Sequence, residues 1–401
     1  MLYRGIRTFQ RLARLITVST LCAVGISAGA QPNGTNGLII KLIPGVRIAD
    51  VANAYGLSVV DGITGRQVYQ VTSTSPGLLA LAAANLAYDL RVQYSQIANT
   101  VQVTEVDADP FQLAFDEGSS SAGYTNQTAF QQVNLPTITV HPGDPSVLVA
   151  ILDTGVDFHH PALAGKLAPG INLINFGTPP ADVQDGVTNN AFGHGTMVTG
   201  IVTRVSPHSV IFPVRILNGD GTGTILNVIR GVYVAILNGA DVINMSFGTS
   251  GYSPALEDAL DEAALAGVVT ISAAGNSGSN TPLYPAAYNT TIGVGALNAD
   301  NTIASFSSYG SANVSVMAPG VGIRSTYPGG GYASWSGTSF AAPFVTGEAA
   351  ELVAEHPLWG PGLIGYRIST TSVDIDPLNP GLGGNLGSGI INIQAALRRS
   401  Y

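Results

Sequence analysis

The sequence is poor in cysteine and in charged residues. Cys22 is the only cysteine among 401 residues, so neither an internal disulfide bond nor a cysteine-rich metal site is expected. Charged residues make up 10% of the chain, the net charge is -9, and Lys and Arg do not cluster outside the extreme N-terminus. We therefore expect no nucleic-acid partner, because nucleic-acid binding needs a basic surface.

What the chain has in quantity is apolar residues and glycine. Hydrophobic residues make up 45% of the sequence, and there are 49 glycines. This balance is typical of a compact globular protein with many turns and argues against disorder. The length predicts two or three structural units.

The first thirty residues have the pattern of a secretory signal. Several arginines precede the apolar run from Leu15 to Ile26, and the small residues Ala28-Gly-Ala30 follow it. The alternative is an uncleaved membrane anchor, but the run is shorter than the roughly 20 apolar residues that span a bilayer. We expect a signal peptide over residues 1–30, an extracellular or periplasmic location, and no stable membrane anchor.

Residues 31–106 alternate between strand and helix patterns within a short span. Strands are predicted at 37–44, 67–72 and 101–106, and helices at 47–57 and 76–94. This order predicts a small α+β (ferredoxin-like) unit with an open sheet face. Turn-forming residues without apolar periodicity then predict a linker over residues 107–123.

From residue 124 to residue 401 the pattern changes to apolar strands separated by helical segments. The predicted strands lie at 147–152, 210–214, 242–245, 268–272 and 291–295. Continuous apolar runs of this kind predict a parallel sheet that helices cover on both faces. The expected fold class of this second unit is therefore α/β.

Three short segments carry residue types used in hydrolysis. Asp153-Thr-Gly155 follows a predicted buried strand, which places its carboxylate at the edge where α/β sheets bind ligands. His194 precedes the apolar stretch 197–202, in the first turn of a predicted helix. Ser339 lies in Ser336-Gly-Thr-Ser-Phe-Ala-Ala-Pro343, at the start of another helix, where exposed N–H groups and the helix dipole suit a nucleophile.

Each segment also has a structural alternative when it is considered alone. A strand-end aspartate often serves a turn, and the Asp-Thr-Gly triplet also occurs in aspartic peptidases, which need a second such triplet that this chain lacks. A histidine or serine at a helix start often acts only as a cap. The other histidines lie in loops or beside prolines, which leaves His194 as the candidate base.

Together, and in this order, the three segments resemble the active-site signatures of the subtilisin (subtilase) family of serine peptidases. The segment 240–248 is similar to the family's substrate-binding strand, and Ala273-Ala-Gly-Asn276 to its pocket wall and oxyanion asparagine. The resemblance implies Ser339 as nucleophile, His194 as general base and Asp153 as the residue that orients His194.

The resemblance also implies how a peptide is held. The residues implied in substrate binding are Ser246, Phe247, Gly248, Ala273, Ala274 and Gly275. The first three would pair with an extended peptide, and the last three would line the pocket for the side chain before the scissile bond. Asn276 would stabilise the oxyanion. Backbone pairing implies broad specificity, and small pocket residues imply room for large apolar side chains, with a depth set by the loop 280–288.

The expected function is a secreted serine endopeptidase that acts on proteins or peptides through an acyl-enzyme. The unit at 31–106 resembles the family's propeptide, which implies an intramolecular inhibitor; the alternative is an accessory domain that stays attached. Two other functions stay open, a binding module without activity and a maturation enzyme with a single substrate. A monomer is expected, with no required cofactor and no identified metal site, although calcium binding stays open.

Acidic residues stand at two places that need an explanation. The helix after Ser339 contains Glu348 and Glu351 where apolar neighbours predict burial. A buried, unpaired carboxylate is costly, so each must be paired, protonated or at the helix edge. The stretch from Asp182 to Asp185 is expected to be solvated surface charge rather than a calcium site.

Overall fold

The computed structural model describes residues 37–103, 115–116, 118–142 and 144–398. The predicted signal peptide lies outside these residues, as does much of the predicted linker. No helix in these ranges is long and apolar enough to cross a membrane.

The N-terminal unit is a four-stranded antiparallel sheet with two helices. Its elements are β1 (Leu38–Leu42), α1 (Ile48–Tyr55), β2 (Ser58–Ile63), β3 (Val68–Thr72), α2 (Pro76–Leu86) and β4 (Val92–Ile97). The strand order is β2-β3-β1-β4, and apolar residues of the sheet and both helices, among them Ile40, Val51 and Leu86, form one core. This is the predicted ferredoxin-like arrangement.

Three details of this unit differ from the sequence-based expectation, and the first is β2 (Ser58–Ile63), a strand that was not predicted. The predicted helix at 76–94 is too long, because α2 ends at Leu86 and the strand β4 begins at Val92. The residues of β4 alternate in a way that predicts a strand, but the preceding run of Ala and Leu led to the prediction that the helix continues through them. The predicted strand at 101–106 begins as β5 (Thr100–Gln102), and its last residues lie outside the described ranges.

The second unit is built on a seven-stranded parallel sheet with the order β14-β13-β12-β11-β7-β9-β8. The strands of this unit are β6 (Phe115–Asp116), β7 (Val147–Asp153), β8 (Ile171–Asn172), β9 (Ser209–Arg215), β10 (Thr222–Thr224), β11 (Val242–Met245), β12 (Val269–Ala273), β13 (Thr291–Leu297), β14 (Val316–Pro319), β15 (Ile323–Tyr327) and β16 (Gly331–Trp335). All five predicted strands are confirmed as members of the sheet.

Helices cover both faces of this sheet, as predicted. They are α3 (Ala122–Thr125), α4 (Thr128–Gln132), α5 (His194–Val205), α6 (Ile225–Leu237), α7 (Pro254–Leu265), α8 (Thr338–Glu355), α9 (Pro361–Thr371) and α10 (Ile393–Leu397). Residues of β7 alternate between the two cores: Val149 packs with α5 and α8 on one face, and Leu152 packs with α6 and α7 on the other. This alternation explains why the strand is apolar throughout.

The parallel direction of the strands decides where polar residues meet. Asp153 ends β7, Ser246 follows β11, and Ala273 ends β12, so all three lie at the carboxyl edge of the sheet. The helices α5 and α8 have their first turns close to this edge, because the residues at their starts contact these strand ends. The sheet therefore brings together segments that are far apart in sequence.

Candidate active site

Asp153 and His194 form a buried pair. Asp153 is 1% exposed, His194 is 0% exposed, and the imidazole Nδ1 lies 2.7 Å from the carboxylate Oδ1. The backbone N–H of Thr154 donates to the same carboxylate oxygen at 2.7 Å, which fixes the carboxylate. A carboxylate at Nδ1 holds the proton on that nitrogen and makes Nε2 the basic position of the ring.

The first turn of α5 is held by residues from two loops rather than by a local cap. Gly193 precedes the helix and offers no side chain, whereas the buried Asp182 accepts hydrogen bonds from the N–H groups of Gly193 at 3.1 Å and Thr196 at 3.2 Å. Thr154 Oγ1 accepts from the N–H of Gly195 at 3.0 Å. These bonds satisfy helix N–H groups that would otherwise lack partners.

The expectation that Asp182 is solvated surface charge is wrong. Its carboxylate is buried at the first turn of the helix that carries His194, and burial raises the pKa of Asp182, opposed by hydrogen bonds from Thr196 and Gly193. No sequence pattern connects this loop residue to the start of α5, so the contact could be found only from the fold.

Close packing fixes the imidazole from several sides. The His194 ring centroid lies 5.2 Å from that of Phe340 and 5.7 Å from that of Trp335. Gly195 lies so near the loop after β7 that a Cβ atom there would be 2.2 Å from the carbonyl oxygen of Gly155. Only glycine therefore allows the helix to bring His194 against Asp153.

Ser339 is the second residue of α8 and lies at the same sheet edge. Its hydroxyl donates to the carbonyl oxygen of Ser246 at 2.9 Å, and the hydroxyl of Ser246 donates back to the carbonyl oxygen of Ser339 at 2.9 Å. Ser339 is 0% exposed. These reciprocal bonds attach the start of α8 to the segment that follows β11.

Asn276 is oriented by the residue before Ser339. Its Oδ1 accepts hydrogen bonds from the N–H and from the hydroxyl of Thr338, both at 2.9 Å. The same hydroxyl accepts from the N–H of Gly275 at 3.0 Å. These bonds fix the orientation of the Asn276 amide and place it close to the N-terminus of α8. Its nitrogen is a hydrogen-bond donor. Donors in this setting suit an oxyanion.

A strand of the N-terminal unit lies along the predicted substrate-binding strand. β5 pairs antiparallel with β10, and Gln102 exchanges two backbone hydrogen bonds with Gly248, at 3.0 and 2.9 Å. The N–H of Val103 donates to the carbonyl oxygen of Gly221 at 2.9 Å. An extended segment of the chain's own N-terminal unit thus occupies the space between β10 and Gly248.

The other predicted substrate-binding residues contribute little side-chain surface. Phe247 is 0% exposed and packs into the core with α6 and α7, so it offers its backbone alone to the cleft. Ala273 and Ala274 are 1% and 0% exposed. One residue that sequence reasoning missed is Leu283, which contacts both Gly248 and Gly275. Its only sequence signal was its place in the loop 280–288.

The two buried glutamates of α8 differ from each other. Glu351 is paired, because its carboxylate accepts from the hydroxyl of Ser206 at 2.7 Å and lies 2.8 Å from Nδ1 of His208. Glu348 is 0% exposed, and neither of its carboxyl oxygens has a hydrogen-bond partner in the part of the chain that the structure describes. Burial raises the pKa of Glu348 to about 8, so it is protonated at neutral pH.

Within the described ranges, no group of three or more His, Cys, Asp or Glu side chains is placed to hold a metal ion.

Comparison with known proteins identifies the family. The family described as the Subtilase family matches residues 144–389. The chain belongs to the subtilase family. It is 37% identical over 310 residues to subtilisin amylosacchariticus from Bacillus subtilis subsp. amylosacchariticus, covering 73% of this chain and 77% of that protein. It is 40% identical over 264 residues to subtilisin from Bacillus pumilus, covering 63% of this chain and 90% of that protein.

A solved structure supports the fold of this subtilase. Fervidolysin from Fervidobacterium pennivorans, described as a keratinolytic enzyme related to subtilisin, aligns with a TM-score of 0.70 at 24% identity. The alignment covers 93% of this chain and 62% of fervidolysin, so the chain spans less than two thirds of that protein's length. The family and the subtilisin relatives establish that this subtilase is a serine endopeptidase.

Proposed function

We propose that this subtilase is a secreted endopeptidase that cleaves peptide bonds through an acyl-enzyme on Ser339. The observation that carries the proposal is the 2.7 Å contact between His194 and Asp153 at the sheet edge where the helix of Ser339 begins. In the proposed reaction, His194 takes the hydroxyl proton of Ser339 as the oxygen attacks the scissile carbonyl. Asp153 stabilises the imidazolium that forms.

The tetrahedral intermediate collapses when His194 gives its proton to the leaving amine. Until then, the oxyanion lies between the Asn276 amide nitrogen and the backbone N–H of Ser339, two donors that the contacts of Thr338 keep near each other. Water, deprotonated by His194, then attacks the acyl-enzyme and releases the second product. Each step uses only water and the side-chain and backbone groups of this chain, so we propose that catalysis needs no cofactor. Activity that is lost in EDTA while the protein stays folded, and is restored by Ca²⁺, would contradict that part.

The unit at 31–106 is proposed to be an intramolecular inhibitor that makes the protein a zymogen. Backbone pairing of Gln102 with Gly248 supports this role, because a peptide substrate would need the same hydrogen bonds. Side-chain contacts outside the cleft also support it. Arg230 of α6 forms an ion pair with Asp61 of the unit, with a separation of 2.8 Å, and Gln96 Oε1 accepts from Ser253 Oγ at 3.0 Å.

Protein or peptide substrates of varied sequence are the proposed partners. Backbone hydrogen bonds along Ser246, Phe247 and Gly248 do not depend on the side chains of the substrate, which supports broad specificity overall. The buried walls formed by Ala273, Ala274 and Gly275 would flank the side chain before the scissile bond. We propose that the enzyme acts as a monomer. Secretion rests on the N-terminal pattern of arginines, apolar residues and small residues.

The test is hydrolysis of unfolded casein by protein produced from the full-length chain. We expect hydrolysis, together with covalent labelling of Ser339 by a fluorophosphonate, and expect neither in a Ser339→Ala variant. Labelling identifies the nucleophile independently of the substrate. Equal hydrolysis by the wild type and the Ser339→Ala variant would contradict the role of Ser339.

A further inference from the structure

Leu283 lies where two glycines of the cleft leave space. A Cβ atom built on Gly248 would lie 2.3 Å from Leu283 Cδ2, and a Cβ atom built on Gly275 would lie 2.7 Å from the same methyl carbon. Both distances are far shorter than any real contact between carbon atoms. The isobutyl group of Leu283 therefore packs directly against the Cα atoms of both glycines, between the segment after β11 and the segment after β12.

The pairing along the cleft indicates which substrate side chain would meet Leu283. Gln102 pairs with Gly248, so a peptide bound in the same antiparallel register places the residue two positions later opposite Ser246. Ser246 is the residue whose carbonyl oxygen accepts from the hydroxyl of Ser339, so that peptide residue carries the scissile carbonyl. This step depends on the proposed function.

The face toward which this side chain points follows from strand geometry. Residues directly opposite each other in an antiparallel pair direct their side chains to the same face, and alternate residues of one strand share a face. The side chain before the scissile bond therefore points to the face toward which a Cβ atom of Gly248 would point. Leu283 occupies that face.

The backbone around Leu283 is held by several hydrogen bonds. Its N–H donates to Oδ1 of Asn313 at 3.0 Å, and Asn313 is 1% exposed. The next residue, Tyr284, exchanges two backbone hydrogen bonds with Thr249, at 2.8 and 2.9 Å. The N–H of Ala287 donates to the carbonyl oxygen of Leu283 at 2.9 Å. These hydrogen bonds fix the backbone of Leu283 and so hold its side chain beside the cleft.

We infer that Leu283 determines specificity by filling the pocket for the side chain before the scissile bond, so that small side chains are accepted there and large apolar ones are rejected. This differs from the expectation of a roomy pocket, which considered only the small residues Ala273, Ala274 and Gly275. Specificity at the other substrate positions stays broad, because backbone hydrogen bonds still hold the peptide.

The experiment compares kcat/KM for peptides that differ only in the residue before the scissile bond, with Ala, Val, Leu or Phe at that position. The wild type is expected to prefer Ala. In Leu283→Gly the ratio of Phe to Ala is expected to rise at least about tenfold, the scale of discrimination by one or a few carbon atoms in an apolar pocket. Leu283→Ala should give a smaller change in the same direction.

Leu358→Ala is the matched control, because Leu358 is 77% exposed and lies beyond the C-terminal end of α8. Its ratio should equal that of the wild type. Wild-type preference for Phe, or an unchanged ratio in Leu283→Ala, would overturn the inference. If Leu283→Gly does not fold, Leu283→Ala and the wild-type profile still decide. Failure of the proposed function is distinct, since it would appear as hydrolysis that survives Ser339→Ala.

Discussion

The folded protein should lose stability as the pH rises from about 5 to 8, and replacement of Glu348 by glutamine should make this loss smaller. The carboxyl group is fully buried in the core, with no hydrogen-bond partner in the described part of the chain, and burial raises its pKa to about 8. In the unfolded chain a glutamate has a pKa of about 4.3. Between these two values the folded protein binds the proton and the unfolded chain does not, so stability falls as the pH rises and levels off above about pH 8.

The size of the effect follows from this difference in pKa. Each pH unit in that window costs about 1.4 kcal/mol, so raising the pH from about 5 to 8 should cost roughly 3 to 4 kcal/mol from Glu348 alone. A domain of this size changes its melting temperature by about 2 °C for each kcal/mol, which corresponds to roughly 7 °C. In Glu348→Gln this contribution is absent, because glutamine does not ionise.

The assay is thermal unfolding at several pH values in the Ser339→Ala background, which prevents self-digestion. The melting temperature of the Glu348→Gln protein should fall less between pH 5 and pH 8 than that of its parent, by roughly 7 °C. Glu355→Gln is the control, because Glu355 is exposed on the last turn of the same helix and should not change the pH dependence. Equal pH dependence in the parent and in Glu348→Gln would refute the reasoning.

Three further predictions concern the cleft and its surroundings. Asn276→Ala should lower kcat by about 10²–10³-fold with little change in KM, the loss typical of removing one oxyanion-hole donor; a change confined to KM in steady-state kinetics would contradict it. Asp182→Ala should cost about 1–2 kcal/mol of stability, because helix N–H groups lose their acceptor; an unchanged melting temperature would oppose the capping role. Mass spectrometry should find a mature chain that begins at Glu105, because a peptide in the register of the Gln102–Gly248 pair would carry its scissile carbonyl two residues after the one that pairs with Gly248; a chain beginning at Gln31 would contradict propeptide removal.

The sequence predicted the central sheet because its strands are buried on both faces. The runs that became β7, β9, β11, β12 and β13 are continuous in apolar residues, many of them β-branched. The edge strand β8 (Ile171–Asn172) has only two residues, and β14 (Val316–Pro319) ends in a proline, which is rare inside strands. Such short strands form because a neighbouring strand offers backbone hydrogen bonds. The sequence of the short segment alone therefore does not predict them.

Some residues of the candidate site could likewise be predicted from the sequence, and others could not. Asp153, His194 and Ser339 each stand in a short motif at the end of a strand or the start of a helix, so their meeting at one sheet edge could be predicted. Asp182 and Leu283 lie in loops, and each acts through a residue distant in sequence. Their contacts depend on loop conformation, which single residues do not specify. The protonated state of Glu348 required its burial to be known.

The residue after Ser339 also affects how the protein should withstand oxidants. Phe340, whose ring packs on His194, carries no sulfur atom beside the nucleophile. The methionines of the described ranges, Met197, Met245 and Met317, are all 0% exposed. Hydrogen peroxide converts methionine to the sulfoxide where it can reach the sulfur. In these ranges the folded protein exposes no methionine sulfur on its surface. We therefore expect peroxide to oxidise these methionines only when the protein unfolds locally or globally.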